Sequence, residues 1–292
     1  MENIEKYLAD GFWKDHYSEE IKKNKNGELY VPLKYLEQES NIVIFDHNVD
    51  CEPFAYMKNL NEASFCNCKL SNISILAKIP YLKRLSFTNC TFDGEGLAAL
   101  SKAPALSRIN LNRMSAEGLL ELKGIKTLKR LNLGNVTDIK PEDITVFKNL
   151  RTLEIDNMDL HDCSFIGELP ELRILDLNRH SLDNLDFLKM LPNLVKFRLL
   201  KPAANEEGLI GLNKFPNLKE FIYPVKDLSL YKGCEKLKEP GISPKTTGGF
   251  EVFKGSKVEC FIICGSTSNE QVNYIAKEMK RHCKIYSYGR QS

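Results

Sequence analysis

The pattern Leu-x-x-apolar-x-apolar starts at Leu60, Leu82, Leu106, Leu128, Leu150, Leu172, Leu194 and Leu218, at spacings of 22, 24, 22, 22, 22, 22 and 24 residues. A period of this length constrains the fold before any single motif does, because one such unit cannot bury its apolar edge alone. The fourth and sixth positions read Ala63/Phe65, Leu85/Phe87, Ile109/Leu111, Leu131/Leu133, Leu153/Ile155, Leu175/Leu177, Phe197/Leu199 and Phe221/Tyr223. Apolar residues two apart place both side chains on one face of a short strand, and the rest of the period is long enough for a turn and a short helical return. Coils must therefore stack, with strands parallel and leucines in ladders. At roughly 1.5–3 kcal/mol for each large buried side chain, these ladders are the main stabilising term against a chain entropy of similar size.

The returns carry their own signals. Glu95, Gly96, Leu97 and Leu100 recur as Glu117, Gly118, Leu119 and Leu122 and as Glu207, Gly208, Leu209 and Leu212, with apolar residues three apart, which predicts one to two turns of helix. Pro80, Pro104, Pro170, Pro192 and Pro216 stand two residues before the next leucine, where proline stops a helix and favours extended chain.

Through segments such as YLKRLSFTNCTF, TLKRLNLGNVTD, NLRTLEIDNMDL and ELRILDLNRHSL, about residues 57 to 225 resemble the leucine-rich repeat family. The resemblance implies an α/β fold: a solenoid in a right-handed arc, with a parallel sheet on the concave face, short helices on the convex face and caps at both ends. It also implies binding of other proteins by the concave sheet. One departure concerns the ninth position, where the family often has Asn and this chain has Cys68, Cys90, Met114, Val136, Met158, His180, Pro202 and Lys226. Asn stands one residue earlier, at Asn67, Asn89, Asn135 and Asn157, so an apolar turn column is expected in place of an asparagine ladder.

Residues 1–56 lack the register and read as an N-terminal cap, with a short helix around Ile4, Tyr7 and Leu8 and strands over 28–33 and 41–45. Residues 226–249, rich in Lys, Gly, Pro and Thr, read as an irregular linker. Residues 250–292 read as a strand-helix-strand cap: Val258 to Cys264 a strand buried on both faces, Ser268 and Gln271 a capping box, Val272, Ile275, Ala276 and Met279 a helical stripe, and Lys284 to Tyr288 a last strand.

The chain has 292 residues with 41 Lys+Arg against 39 Asp+Glu, a formal charge of +2 that disfavours a dedicated polyanion binder. Nucleic acid is therefore not an expected partner. The first residues have neither a basic n-region nor an apolar core, and no apolar run approaches 18 residues, so neither a signal peptide nor a membrane span is expected. Nine Cys without scaffold spacing fit reduced thiols, and a cytoplasmic location is expected. Cys260 and Cys264 share an apolar strand face, and no Cys-x-x-Cys or His series offers ligand spacing, so no metal and no cofactor is expected. No His joins a Ser/His/Asp or Cys/His constellation. The turn Gly265-Ser266-Thr267-Ser268 could offer free N–H groups to an anion but lacks the phosphate-loop pattern, so helix capping is its reading.

If the fourth and sixth positions point into the core, the third, fifth and seventh form columns on the other face of the sheet, about 4.8 Å per step. The third positions include Arg84, Arg108 and Arg130, expected to stand unpaired beside Asn110, Asn112 and Asn132. Glu154, Asp156 and Asp176 turn the next coils acidic before Arg198. These ten residues are the expected binding surface, for a partner protein with an acidic segment. The chain is thus read as a non-catalytic protein-binding scaffold and not an enzyme. The alternative is an enzyme or anion-binding protein using the C-terminal strand-helix-strand unit, which requires a cleft with converging titratable groups near Ser266 to Ser268.

Overall fold

Each of the eight coils starts its strand at the third position of the pattern and buries the first, fourth and sixth. The computed structural model describes residues 7–8, 11–158, 160–177, 180–279 and 284–288. Its chain divides into two units, Met1–Phe147 and Lys148–Ser292. In the first unit the strands Asn41–Phe45, Glu62–Cys66, Arg84–Thr88, Arg108–Asn112 and Arg130–Gly134 pair in parallel, third position opposite third position. The second unit repeats this with Thr152–Asp156, Ile174–Asp176, Lys196–Arg198, Glu220–Ile222, Glu239–Ile242, Cys260–Cys264 and Lys284–Tyr288.

The ladder extends past the leucine-started coils at both ends. Asn41 pairs with Glu62, so the 41–45 strand belongs to the repeat although Glu39 stands where leucine is expected. Residues 226–249 are not an irregular linker: they hold a 3₁₀ turn, Leu228–Tyr231, and the strand Glu239–Ile242, whose Glu239 pairs with Glu220. Its composition disguises it. Pro240 takes the fourth position opposite Phe221, and Gly241 is required by close approach, since a Cβ there would stand 2.3 Å from the Tyr223 amide nitrogen. The C-terminal strand-helix-strand order is present, but its two strands continue the same parallel ladder. In the Asn269–Met279 helix the Gln271 N–H donates to Ser268 Oγ at 3.3 Å, while the Gln271 side chain reaches the Thr246 carbonyl and leaves the box half formed.

The returns are tighter than the expected helices. Gly96–Leu100, Leu119–Gly124 and Glu207–Leu209 are 3₁₀ segments, as are Ile73–Lys78, Ser164–Glu168 and Asp186–Met190. A 3₁₀ turn rises about 2.0 Å per residue against 1.5 Å for an α-helix, so it spans the coil with fewer residues.

Aromatic stacking fills the core of each unit. Phe54, Phe65 and Phe87 follow one another at 5.8 and 5.5 Å, and Trp13 of the Phe12–His16 helix lies 5.0 Å from Phe54 while its indole N–H donates to the Asp50 carbonyl at 3.0 Å. This helix covers the start of the ladder as a cap should. The helix expected around Ile4 lies largely outside the described residues, and Leu8 is buried. In the second unit Phe221, Tyr231, Phe253 and Phe261 form a comparable chain. Among the described residues no helix is long and apolar enough to cross a membrane.

Candidate functional site

The face of the sheet that carries positions three, five and seven is the open one, and in the first unit it gathers Arg84, Arg108, Asn110, Asn112, Arg130 and Asn132. Glu62, Arg84, Arg108 and Arg130 stand opposite one another in four successive strands. The expectation of three unpaired arginines is corrected here. Arg84 donates from Nε to Glu62 Oε2 at 2.8 Å and lies 2.7 Å from the same oxygen through a terminal nitrogen. One strand spacing brings the carboxylate within reach, so the local charge of Arg84 is largely cancelled. Arg108 and Arg130 are half-buried. Beside them the floor is made of small side chains and carboxamides: Asn110 Nδ2 donates to Ser86 Oγ at 3.1 Å, and Asn112 leans over Gly134, where a Cβ would stand 3.0 Å from Asn112 Oδ1.

Val43 and Phe45 extend this face and were hidden by the missing leucine of their coil. They occupy positions five and seven of the 41–45 strand and are 55% and 56% exposed. The neighbouring Ser64 and Cys66 are too small to cover them.

In the second unit the open face carries Glu154, Asp156, Asp176 and Arg198, and its charges pair across strands. Arg198 lies 3.3 Å from Asp176, its register partner, and Lys196 meets Glu220. Burial, with Glu220 directly opposite, pushes the Glu239 carboxyl up. On both sides of the Glu239–Ile242 strand the face carries apolar side chains: Ile222, Cys260, Ile262 and Cys264 form a buried cluster against which Leu200 packs. The Arg198 guanidinium stands 5.6 Å from the Tyr288 ring centre. Cys260 and Cys264 are buried as expected, and burial pushes the Cys264 thiol up to about 12.

Two columns at the strand ends explain the displaced asparagines. Asp46, Asn67, Asn89, Arg113, Asn135 and Asn157, all at position eight, have φ between 50° and 57°. Asn and Asp tolerate this left-handed region best, so the residue type follows the corner and not a buried ladder. Asn67 Nδ2 donates to Asp46 Oδ1 and Asn89 Nδ2 to Asn67 Oδ1, both at 2.8 Å. Position nine is not simply apolar. The thiols of Cys68 and Cys90 reach the carbonyls of Ile44 and Phe65, and His180 Nε2 lies 3.0 Å from the carbonyl of Ile155, in each case the sixth position of the coil before. A carbonyl only accepts, so His180 carries its proton on Nε2. Burial holds its pKa below the ordinary range.

A cleft of about 360 Å³ is lined by Tyr231, Cys234, Glu235, Phe253, Lys254 and Lys257 among others, and a second of about 340 Å³ by Phe250, Glu251, Lys254, Glu278 and Met279 among others. Neither is lined by Ser266, Thr267 or Ser268. Burial pushes the Cys234 thiol up to about 11, which keeps it protonated and a poor nucleophile. Among the described residues no three His, Cys, Asp or Glu side chains gather as a metal site.

No family model matches the sequence, and no curated protein matches it. Solved structures do. An internalin from Listeria monocytogenes is similar at a TM-score of 0.62 and 16% identity, over 92% of this chain and 86% of that one. A leucine-rich repeat protein of Leptospira interrogans is similar at a TM-score of 0.55 and 18% identity, over 80% of this chain and 68% of that one. With a registered parallel ladder and inward leucines in the eight coils from Leu60 to Leu218, the fold of this chain is that of the leucine-rich repeat proteins.

Proposed function

We propose that the protein is a non-catalytic scaffold that binds a partner protein on the open face of its sheet, with an acidic segment of the partner docking at Arg108 and Arg130. The observation that carries this reading is their placement: directly opposite in register, beside a floor of Ser86, Asn110, Asn112 and Asn132. Two guanidiniums one strand apart meet a carboxylate or a carboxylate pair in planar geometry, and carboxamides add directional donors and acceptors. Arg84, ion-paired with Glu62, stands in the next strand of the same column. The clefts of the second unit lend the enzymatic alternative no support, since neither is lined by the Ser266–Ser268 turn that reading requires. The free, buried thiols fit a reducing, cytoplasmic compartment.

The test compares Arg108→Ala and Arg130→Ala with the exposed control Lys102→Ala, for binding to proteins captured from native cytosol. A central interface arginine costs about 2 kcal/mol, or about 30-fold in affinity, when truncated, and a solvated lysine costs little. Equal affinity of all three variants, with the fold intact by circular dichroism, overturns the reading.

A further inference from the structure

The arginines occupy one end of the first unit's open face, and the other end is apolar. Val43 and Phe45 project from the 41–45 strand and remain more than half exposed, an uncommon state for two large apolar side chains on adjacent same-face positions. Between them and the arginines, positions five and seven hold only small side chains, Ser64 and Ser86, Cys66 and Thr88, beside the Glu62–Arg84 pair at position three. The result is a trough with an apolar wall at one end and cationic groups at the other.

We infer that the acidic segment docked at Arg108 and Arg130 is anchored by a bulky apolar side chain of its own, seated on Val43 and Phe45. This rests on the docking reading above and deepens it. The occupant follows from charge and dimensions. Cationic arginines select carboxylates, and the exposed Val43 and Phe45 gain from covering by an aliphatic or aromatic side chain. The floor between them is two columns wide, about 7 Å at 3.4 Å per residue, narrower than the 10–12 Å of a helix with side chains, so the segment lies extended. From the 41–45 strand to those of Arg108 and Arg130 is three and four strand steps, roughly 14–19 Å, which an extended chain covers in about four to six residues. The partner motif is therefore one bulky apolar residue and an acidic pair about four to six residues apart.

A random peptide library displayed against the full chain tests this without a known partner. The expected consensus pairs two Asp or Glu with a Leu, Phe, Tyr or Trp at that separation. A synthetic peptide of the consensus should bind Phe45→Ser and Val43→Ser about tenfold or more weakly than the parent chain, and moving its apolar residue next to the acids should cost as much. Both variants replace exposed side chains, and an unchanged melting temperature verifies their fold. If acidic peptides bind, lose affinity with Arg130→Ala and are indifferent to Phe45→Ser, the anchor is wrong and the docking reading stands. Peptides indifferent to both substitutions overturn both. Enrichment of basic or purely apolar peptides, or of no motif, also overturns the inference.

Discussion

The open faces of the two units are built on one strand register and put it to opposite uses. In Met1–Phe147 positions three, five and seven carry arginines, carboxamides, serines and an exposed Val43 and Phe45. In Lys148–Ser292 the same positions include Ile222, Cys260, Ile262 and Cys264, each at most 6% exposed, before the exposed Tyr286 and Tyr288 of the last strand. One face is a surface and the other holds a second, smaller core. The difference teaches that the repeat dictates only the inward positions, since a coil without apolar fourth and sixth residues cannot stack. Outward positions are free to take up either binding or stability.

Cysteines at equivalent positions offer the sharpest way to break the comparison. Cys66 and Cys264 both stand at position seven, yet Cys66 is half-buried on an open floor and Cys264 is buried with its thiol pushed up to about 12. At pH 8 a maleimide should modify Cys66 at least on the order of a hundredfold faster than Cys264, which is reached only through local opening of roughly 3 kcal/mol. Mass-spectrometric labelling rates within a factor of a few of each other would mean that the second face is not a core.

A smaller effect separates two residues at position five. Ile262→Ala should lower unfolding stability by about 2–4 kcal/mol, as buried isoleucine truncations do. Asn110→Ala, which loses one half-buried hydrogen bond to Ser86, should cost about 1 kcal/mol. Urea denaturation decides between them, and similar losses would erase the distinction between surface and core.

The third contrast lies at position nine, where the first unit uses thiols and the second an imidazole. His180 has a folded pKa below the value near 6.5 of an unfolded chain, because burial disfavours the imidazolium. The neutral form is the folded one, so its contribution is fully present above about pH 6.5 and is lost as pH falls toward the folded pKa. The Cys90 thiol, pushed up to about 11 by burial, does not titrate in that range. Hydrogen exchange at pH 5.5 against 7.5 should show lost protection around Ile155 and His180 and little change around Phe65 and Cys90. His180→Gln should flatten the dependence.

Eight coils were legible because leucine opens each one, and every inward position read from them is buried. Three of the four further coils hid their register, because Glu39 replaces the opening leucine, Pro240 fills a fourth position and Cys260 to Cys264 is apolar on both faces. Losing the first of these also hid Val43 and Phe45. The arginine column followed directly from the period. The cancellation of Arg84 did not, although Glu62 precedes it in the same column, because a column says which residues are neighbours and only rotamers say which of them meet.

The left-handed corner at position eight has a consequence for how such a chain grows. It closes six successive coils, from Asp46 to Asn157, each with one residue whose backbone geometry is set locally, and only Arg113 among the six departs from Asn or Asp, at a cost on the order of 1 kcal/mol. A tandem duplication of 22 residues thus carries its own corner, its own inward pair and its own outward columns. Coil number can change by whole copies without redesign of the joint, and each new copy arrives with three outward positions that mutation can alter while the ladder beneath them stays closed.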